Sequence, residues 1–359
     1  MLCSSGAGAE PVRTSFRQAR RVPLPVHVQL TGDLLDVPQT ARRLRETGVA
    51  GVFSFEGPHD VFLPLAMAAS SDLDLMTNVA IAFPRSPIHL AHAAYDLHAA
   101  SGGRFRLGLG SQVRAHITRR YGTPWSKPVE RMRETVTAIR AILACWQDGD
   151  ALDVHGEFWT HTLMPPLFNP GPNPHGLPAI VLAGVGPRMT ALAGEVADGL
   201  IVHPLSSDTF LREGTARAFG EGLRSAGRER GDVELIAQVM VGCARSEDGI
   251  AKAREAVRAM IAFYGSTPAY RPVLDAEGYG DLHPELHGLV GEGRWGDIPV
   301  RVPDDLLDRI AIVGTPEDVG ARILRRADGV ADGVCLAASM PISDEDLADL
   351  VSVVSGASA

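Results

Sequence analysis

The chain alternates short apolar segments with helical patterns, and this alternation occurs eight times along its length. In order, the apolar segments are Val26–Leu30, Gly51–Phe55, Leu73–Ala82, Phe105–Gly110, Ala179–Ala183, Gly199–Val202, Leu235–Val241 and Gly333–Ala338. Strands that alternate with helices indicate a parallel sheet, and eight such units indicate a closed (β/α)8 TIM barrel. Enzymes with this fold carry their functional residues on the loops after the strands, so the search for a site narrows to those loops.

The 359 residues predict one barrel domain, residues 26–359, with an extension and two insertions. Residues 1–25 lack the apolar run of a signal peptide, and we expect an irregular or disordered N-terminal extension. Residues 151–178 are rich in Pro and Gly and predict a small hairpin excursion outside the barrel. Residues 264–303 have no strand pattern, yet their aromatic side chains argue against disorder and predict a lid over the barrel mouth.

Composition excludes several classes of partner. A net charge of −9 provides no basic surface for nucleic acid or an anionic membrane. No run of about 18 apolar residues is present that could span a bilayer. The cysteines are widely spaced and form no CxxC pair, which favours reduced thiols in a cytoplasmic protein; they are Cys3, Cys145, Cys243 and Cys335.

A glycine-rich turn, Gly184–Met189, follows the fifth apolar segment and opens a helical pattern. Glycines let a ligand approach the backbone, and free N–H groups at a helix start favour anions such as phosphate. Met189 stands where a dinucleotide-binding fingerprint would have its third glycine, so the turn does not predict a Rossmann site. On its residues alone, the turn is either a phosphate site or an ordinary connection between a strand and a helix.

Two glycines, Gly108 and Gly110, lie in or at the end of the fourth strand. Glycine weakens a strand unless another group must approach closely. A flat ring packed over the strand end would be such a group, and tight packing inside the barrel is the alternative.

Polar side chains follow the second and sixth strands, where a barrel enzyme would place its chemistry. Glu56 and His59 come after the second strand, and His203 comes after the sixth. A histidine beside carboxylates can transfer protons near neutral pH, although each residue is equally consistent with a solvated loop. No second His/Cys/Asp/Glu cluster has metal-ligand spacing, so we expect no metal site.

Taken together, three longer segments carry a family resemblance. Leu75–Pro87, Ser101–Gln112 and Leu182–His203 resemble the bacterial-luciferase-like family, and more closely its coenzyme F420-dependent oxidoreductases. The resemblance implies a (β/α)8 barrel, often a homodimer, with the cofactor ring at the barrel mouth. It also implies a non-prolyl cis peptide bond at Asn78–Val79, in a bulge that supports the ring.

The resemblance implies a role for several residues. Glu56 matches an acidic residue near the ring, and the turn after the fifth strand would hold the cofactor phosphate. The implied cofactor-binding residues are Asn78, Val79, Gly110, Ser111, Gln112, Ala183, Gly184, Val185, Gly186, Pro187, Arg188 and Met189. Val113 replaces the catalytic glutamate of the family's sugar-phosphate dehydrogenases, so that activity is not expected here. Glu56, His59 and His203 are then the candidate catalytic residues.

Three functions are compatible with this sequence. The first is an F420-dependent oxidoreductase that moves a hydride between the deazaflavin C5 and an organic small molecule. The second is an FMN-dependent monooxygenase that uses reduced flavin and O2. The third, less favoured, is a non-catalytic barrel that binds flavin. Neither the substrate nor the direction of the reaction follows from the sequence.

Overall fold

The computed structural model describes residues 24–356, so nearly all of the predicted N-terminal extension, and Cys3 with it, lies outside the described residues. The strands are β1 (Val26–Gln29), β2 (Gly51–Ser54), β3 (Asp74–Thr77), β4 (Ala80–Ile81), β5 (Phe105–Gly110), β6 (Val154–His155), β7 (Thr160–His161), β8 (Ala179–Gly184), β9 (Gly199–Val202), β10 (Glu234–Cys243), β11 (Ile312–Gly314) and β12 (Gly333–Ala338).

Helices follow the strands around the outside of the sheet. The α-helices are α1 (Val37–Glu46), α2 (Leu63–Ala68), α3 (Pro87–Ala100), α4 (Arg114–Arg119), α5 (Pro128–Asp148), α6 (Pro187–Val196), α7 (Arg217–Ser225), α8 (Glu247–Gly265), α9 (Arg271–Ala276), α10 (Leu282–Gly291), α11 (Asp304–Ile310), α12 (Pro316–Ala327) and α13 (Asp344–Ser355). A π-helical segment, Phe210–Ala216, leads into α7. Several of these helices begin with proline, whose missing N–H costs nothing in the first turn; they are α3, α5, α6 and α12.

Parallel pairing closes the sheet into a barrel. β1 pairs with β2 on one side and with β12 on the other. Between them the ring continues through β3 with β4, then β5, β8, β9 and β10. The predicted (β/α)8 TIM barrel is therefore confirmed. The short strand β11, which pairs with the end of β10, was not predicted.

The third predicted strand, Leu73–Ala82, is divided in two. Its pairing with β5 stops at Met76 opposite Arg106 and resumes at Ala80 opposite Leu109. Residues 77, 78 and 79 of one strand thus lie opposite residues 107 and 108 of the other, and this one extra residue makes a bulge. The peptide bond between Asn78 and Val79, within this bulge, is cis, as the family resemblance implies. The prediction of one continuous strand over Leu73–Ala82 was therefore wrong, because the bulge interrupts its pairing with β5.

In each strand, every second side chain points into the barrel. The register between strands places these interior side chains in common layers. An apolar cluster fills the middle of the barrel, formed by Phe53, Met76, Val181, Ile201, Ile236 and Cys335. Val79 and Ala183 pack against this cluster near the carboxyl ends of the strands. At the opposite end, Arg106 lies 3.1 Å from Asp74 and 3.4 Å from Glu234. One end of the barrel is therefore closed by charged groups, and the other end carries the mouth.

Both insertions are ordered. Residues 151–178 contain the antiparallel pair β6–β7, and Glu134 of α5 accepts hydrogen bonds from the backbone N–H groups of Phe158 and Glu157. Residues 264–303 are helical, with α9 and α10 at their centre, rather than an irregular loop. They share a second apolar core with α8 and α11, which includes Leu274, Leu286 and Leu306. Within residues 24–356, no helix has the length and apolar character needed to cross a bilayer.

Candidate active site

The mouth of the barrel is open above its apolar centre. Interior-facing side chains at the carboxyl ends of the strands remain partly exposed, whereas those below them are buried; the partly exposed ones are Gln29, Ala183, His203, Gln238 and Ala337. These positions come from five different strands, as in the functional face of other TIM barrels. A planar ligand could lie against them, with Val79 and Ala183 beneath it.

The glycines of β5 are explained by the neighbouring bulge. The hydroxyl of Thr77 donates to the Gly108 carbonyl and accepts from its N–H, each at 2.8 Å. A Cβ on Gly108 would lie 1.9 Å from the Thr77 carbonyl oxygen, and one on Gly110 would lie 2.5 Å from Cγ2 of Val79. Close packing inside the barrel, the alternative left open above, is therefore sufficient to require both glycines.

Asn78 places a buried donor beside this bulge. The residue is 8% exposed, and its Nδ2 has no strong acceptor among the described residues, since the amide interacts with the thiol of Cys335, a weak acceptor. A buried amide that lacks a partner is costly to a protein. An acceptor atom on a bound ligand would satisfy it.

The turn after β8 has the form of an anion site. Gly186 is the N-cap of α6, and no side chain caps this helix start. A Cβ on Gly186 would meet no protein atom within 4 Å, whereas one on Gly184 would lie 3.1 Å from the backbone nitrogen of Thr190. Gly184 is therefore required by packing, and Gly186 faces open space. The exposed guanidinium of Arg188 lies 2.7 Å from Glu130, so a cation is already beside the turn.

Ser111 and Gln112 form the turn between β5 and α4. Gln112 has a φ of +57°, and its side-chain oxygen accepts a hydrogen bond from the N–H of Val113 at 2.8 Å. Both residues are partly exposed. They lie at the end of β5, next to the bulge that contains Val79.

Glu56 is the centre of a supporting network. Its carboxylate accepts hydrogen bonds from the Ile81 N–H at 2.8 Å, from Nη1 of Arg85 at 2.6 Å and from the Tyr121 hydroxyl at 2.9 Å. The carboxylate is only 7% exposed. Burial, with a further contribution from Glu56, raises the pKa of Tyr121 to about 12. The structure thus gives Glu56 a position beside β4, where its oxygens hold the segment after the bulge.

The two candidate histidines occupy different environments. His59 is exposed, on a loop where Asp60 caps α2 by accepting from the N–H groups of Phe62 and Leu63 at 2.8 and 2.9 Å. His203 follows β9 at the mouth, and burial lowers its pKa to about 3. Its ring stacks on Tyr270, with centroids 4.2 Å apart, and meets Tyr264 edge-on at 4.6 Å.

Several residues of this site had no assigned role in the sequence analysis. Arg85 and Tyr121 support Glu56, and Tyr264 and Tyr270 surround His203. Arg85 lies in the Leu75–Pro87 segment of the family resemblance, and Tyr270 lies in the 264–303 insertion. The sequence therefore drew attention to both segments but did not indicate which residues these side chains contact. Across residues 24–356, no group of three or more His, Cys, Asp or Glu side chains could hold a metal ion.

Comparisons with known proteins agree with this architecture. Residues 15–333 match the family described as luciferase-like monooxygenase. An uncharacterized protein of Mycobacterium tuberculosis is 43% identical over 318 residues, which cover 88% of this chain and 93% of that protein. A 5,10-methylenetetrahydromethanopterin reductase of Archaeoglobus fulgidus is 31% identical over 242 residues, covering 66% of this chain and 68% of the relative.

A solved structure has the same fold. It is a coenzyme F420 dependent tetrahydromethanopterin reductase from Methanopyrus kandleri, with a TM-score of 0.76 and 18% sequence identity. The alignment covers 94% of this chain and 98% of that one. With its family match over residues 15–333 and its closed barrel, the chain belongs to the luciferase-like monooxygenase family.

Proposed function

We propose that this protein is an F420-dependent oxidoreductase that transfers a hydride between the deazaflavin C5 and an organic substrate at the barrel mouth. The observation that carries the proposal is the uncapped, glycine-led start of α6 beside an open mouth. This arrangement suits a ligand with a phosphate and a planar ring. The similarity to a tetrahydromethanopterin reductase with F420 in its description favours the deazaflavin.

Different residues of this chain would bind different parts of such a cofactor. The N–H groups of Arg188 and Met189, with the guanidinium of Arg188, would bind the phosphate. The ring would lie on Val79 and Ala183, where the amide of Asn78 has a donor without a strong acceptor. Ser111 and Gln112 would lie beside its polar edge. The deazaflavin itself supplies the hydride chemistry when bound.

The substrate would lie between the ring and the 264–303 insertion. Tyr264 and Tyr270 of the insertion meet His203 at the mouth, so this side is aromatic and shields the site from water. Glu56 would act as a positioning residue, since its oxygens already accept three hydrogen bonds. His59 and His203 remain candidates for contact with the substrate. A homodimer, as the family resemblance implies, and a cytoplasmic location, as the widely spaced cysteines favour, are part of the same proposal.

FMN is the second candidate cofactor, because the family description names a monooxygenase. A phosphate and a flavin ring would use the same turn and the same mouth. The two functions differ in what the protein binds and in whether it consumes O2. Titration of the purified protein with F420 and with FMN, followed by fluorescence, separates them. Tight FMN binding with substrate-dependent oxygen uptake, and no F420 binding, would overturn the first proposal.

Gly186→Leu tests the phosphate turn itself. The new side chain would enter open space over the N–H groups of α6, so we expect F420 binding to weaken by at least about tenfold, or 1.4 kcal/mol, while the barrel stays folded. Gly231→Leu is the matched control, because that exposed glycine also has no protein atom near its Cβ position and lies before β10, away from the mouth. Unchanged affinity in Gly186→Leu would contradict the phosphate assignment.

A further inference from the structure

His203 lies where β9 delivers an interior-facing side chain to the mouth. Gly199, Ile201 and His203 alternate along this strand, and Ile201 belongs to the apolar cluster below. The imidazole therefore stands directly above the barrel centre. Part of it remains accessible, although protein atoms enclose most of the ring.

Two tyrosines of the 264–303 insertion fix the orientation of this ring. Tyr270 stacks on it at 4.2 Å with an interplanar angle of 21°, and Tyr264 meets it at 4.6 Å and 85°. The two tyrosines also pack edge to face, with centroids 5.6 Å apart. Such pairs favour one geometry over others. The plane of the imidazole is thus set by groups that themselves carry no charge.

One backbone hydrogen bond determines where the imidazole holds its proton. The N–H of Leu205 lies 3.1 Å from Nδ1 of His203. A backbone N–H can only donate, so Nδ1 is the acceptor and the neutral ring carries its hydrogen on Nε2. No protein partner for Nε2 is found within residues 24–356, and Nε2 is not sealed from solvent. The Nε2–H group is therefore available to a ligand.

The groups around His203 do not stabilise the protonated, cationic form of its ring. In the described part of the chain, no Asp or Glu oxygen lies within 4.0 Å of a ring nitrogen of His203, and both aromatic neighbours are tyrosines. Burial alone lowers the pKa of His203 to about 3, and burial with a further contribution from Tyr264 raises the pKa of Tyr270 to about 12. All three rings are neutral near pH 7.

We propose that His203 is a neutral hydrogen-bond donor that recognises a carbonyl-type acceptor on an uncharged substrate, with Tyr264 and Tyr270 as the aromatic wall beside it. The inference rests on the proposed function, because it assumes that substrate occupies the mouth. It assigns recognition to His203 through Nε2–H, and not the delivery of a proton from a cationic ring. A substrate carboxylate would face a wall without a cation, so a charged analogue should bind more weakly than a neutral one.

The tautomer is measured without cofactor or substrate. In protein labelled with ¹⁵N-histidine, long-range ¹H–¹⁵N correlation at pH 7 distinguishes the two neutral tautomers and the imidazolium, and the spectrum of His203→Phe assigns the resonance. We expect the Nε2–H tautomer. An Nδ1–H tautomer or an imidazolium at pH 7 would overturn the proposal.

Recognition is tested with three small fluorinated probes by ¹⁹F NMR titration, with F420 present. The probes are 4′-fluoroacetophenone, 4-fluoroethylbenzene and 4-fluorobenzoate. We expect His203→Phe to weaken ketone binding about threefold to tenfold, the range of one neutral hydrogen bond, and to change hydrocarbon binding less than about twofold. His155→Phe, on the exposed β6–β7 hairpin, should change neither. The benzoate should bind more weakly than the ketone to the wild-type protein.

Equal weakening of ketone and hydrocarbon in His203→Phe would overturn the donor role, as would the absence of ketone binding by the wild-type protein. F420 titration of the same samples separates this failure from that of the proposed function. Normal F420 affinity with no selectivity for the ketone rejects this inference alone. Failure to bind F420 rejects the proposed function, while the tautomer measurement still stands as an independent test of His203.

Discussion

A buried carboxylate that accepts hydrogen bonds from a guanidinium, a phenol and a backbone N–H is held in one position by its three donors. Glu56 is such a group, and its three donors come from the ends of β4, from the loop before α3 and from the segment after α4. Its contribution to a reaction would be indirect. By fixing Ile81 it holds the strand segment that follows the cis bond, and so the floor of the mouth.

Glu56→Gln should therefore destabilise the fold more than a typical surface change. The amide keeps the shape but loses the charge opposite Arg85, and one of its groups cannot accept a hydrogen bond. We expect the free energy of unfolding to fall by about 2–3 kcal/mol, measured by chemical denaturation. The phenol pKa of Tyr121 should also fall from its raised value, since the adjacent negative charge is gone.

The matched control for this substitution is Glu221→Gln. That glutamate lies 4.0 Å from Arg217 on the exposed face of a helix, where an ion pair contributes little. A change within about 0.5 kcal/mol is expected there. If both variants lost the same stability, or neither did, the supporting role of Glu56 would be wrong.

At the scale of single residues, the sequence predicted where functional side chains lie in the barrel, but it did not predict which residues contact them. Glu56 and His203 were found because each follows a strand of a barrel. The residues that define their chemistry are distant along the chain: Tyr121 is 65 residues from Glu56, and Tyr270 belongs to an insertion without strand signals. Spacing in a sequence carries no information about such contacts.

Among the secondary-structure elements, the bulge between β3 and β4 imposes a strict steric requirement on the neighbouring strand β5. It brings Thr77 so close to β5 that the facing residue has no room for a side chain. The paired hydrogen bonds between the Thr77 hydroxyl and the Gly108 backbone then replace part of the regular ladder. The shape of the mouth floor thus depends on a residue of the neighbouring strand.

Gly108→Ala should consequently be severe, although it adds a single methyl group. Its Cβ would approach the Thr77 carbonyl to 1.9 Å, and neither backbone can move without breaking strand pairing. We expect a loss of at least about 3 kcal/mol, or failure to fold, measured by thermal and chemical denaturation.

Gly288→Ala offers a control of opposite sign. This glycine lies within α10, and its Cβ position meets no atom within 4 Å. Alanine should be neutral there or stabilise the protein by up to about 1 kcal/mol, because it favours the helix. Similar behaviour of the two variants would show that the bulge tolerates more than the distances imply.

Elements with strong periodicity were predictable, and short ones were not. Helix α5, Pro128–Asp148, is an example of the first kind, because its sequence places apolar residues such as Met132, Val136 and Ile139 at helical spacing. The three-residue strand β11 is too short for any pattern, and α9 and α10 lie among Pro and Gly residues that obscure helical signals. The bulge in the third strand was implied by the family resemblance and not by the pattern, because apolar residues resume directly after Asn78.

Considered as a whole, the molecule has a barrel whose two ends differ in chemistry. The mouth is lined by small, amide and aromatic groups, and the opposite end is closed around one guanidinium. Arg106 from β5 bridges the starts of β3 and β10 through Asp74 and Glu234. These strands are not neighbours of one another, so the network ties opposite sides of the barrel together.

Arg106→Leu should therefore weaken the whole barrel and change its response to acid. Burial tends to raise the pKa of Asp74, but His27 and Arg106 outweigh it and lower that pKa. A carboxylate with a lowered folded-state pKa stabilises the protein above its unfolded-state pKa near 3.8, and this contribution disappears as pH falls through the folded-state pKa. Without Arg106 the pKa of Asp74 should rise, so the midpoint of acid unfolding should move to higher pH.

Near neutral pH, two partly buried carboxylates would lose their cation, and we expect a loss on the order of 3 kcal/mol in the free energy of unfolding. Circular dichroism against pH, with denaturant titration at pH 7, measures both effects. Arg217→Leu, which removes an exposed arginine of α7, should leave both nearly unchanged because that ion pair is solvated. An unaltered acid midpoint in Arg106→Leu would mean that the closed end of the barrel is held by strand pairing and apolar packing alone.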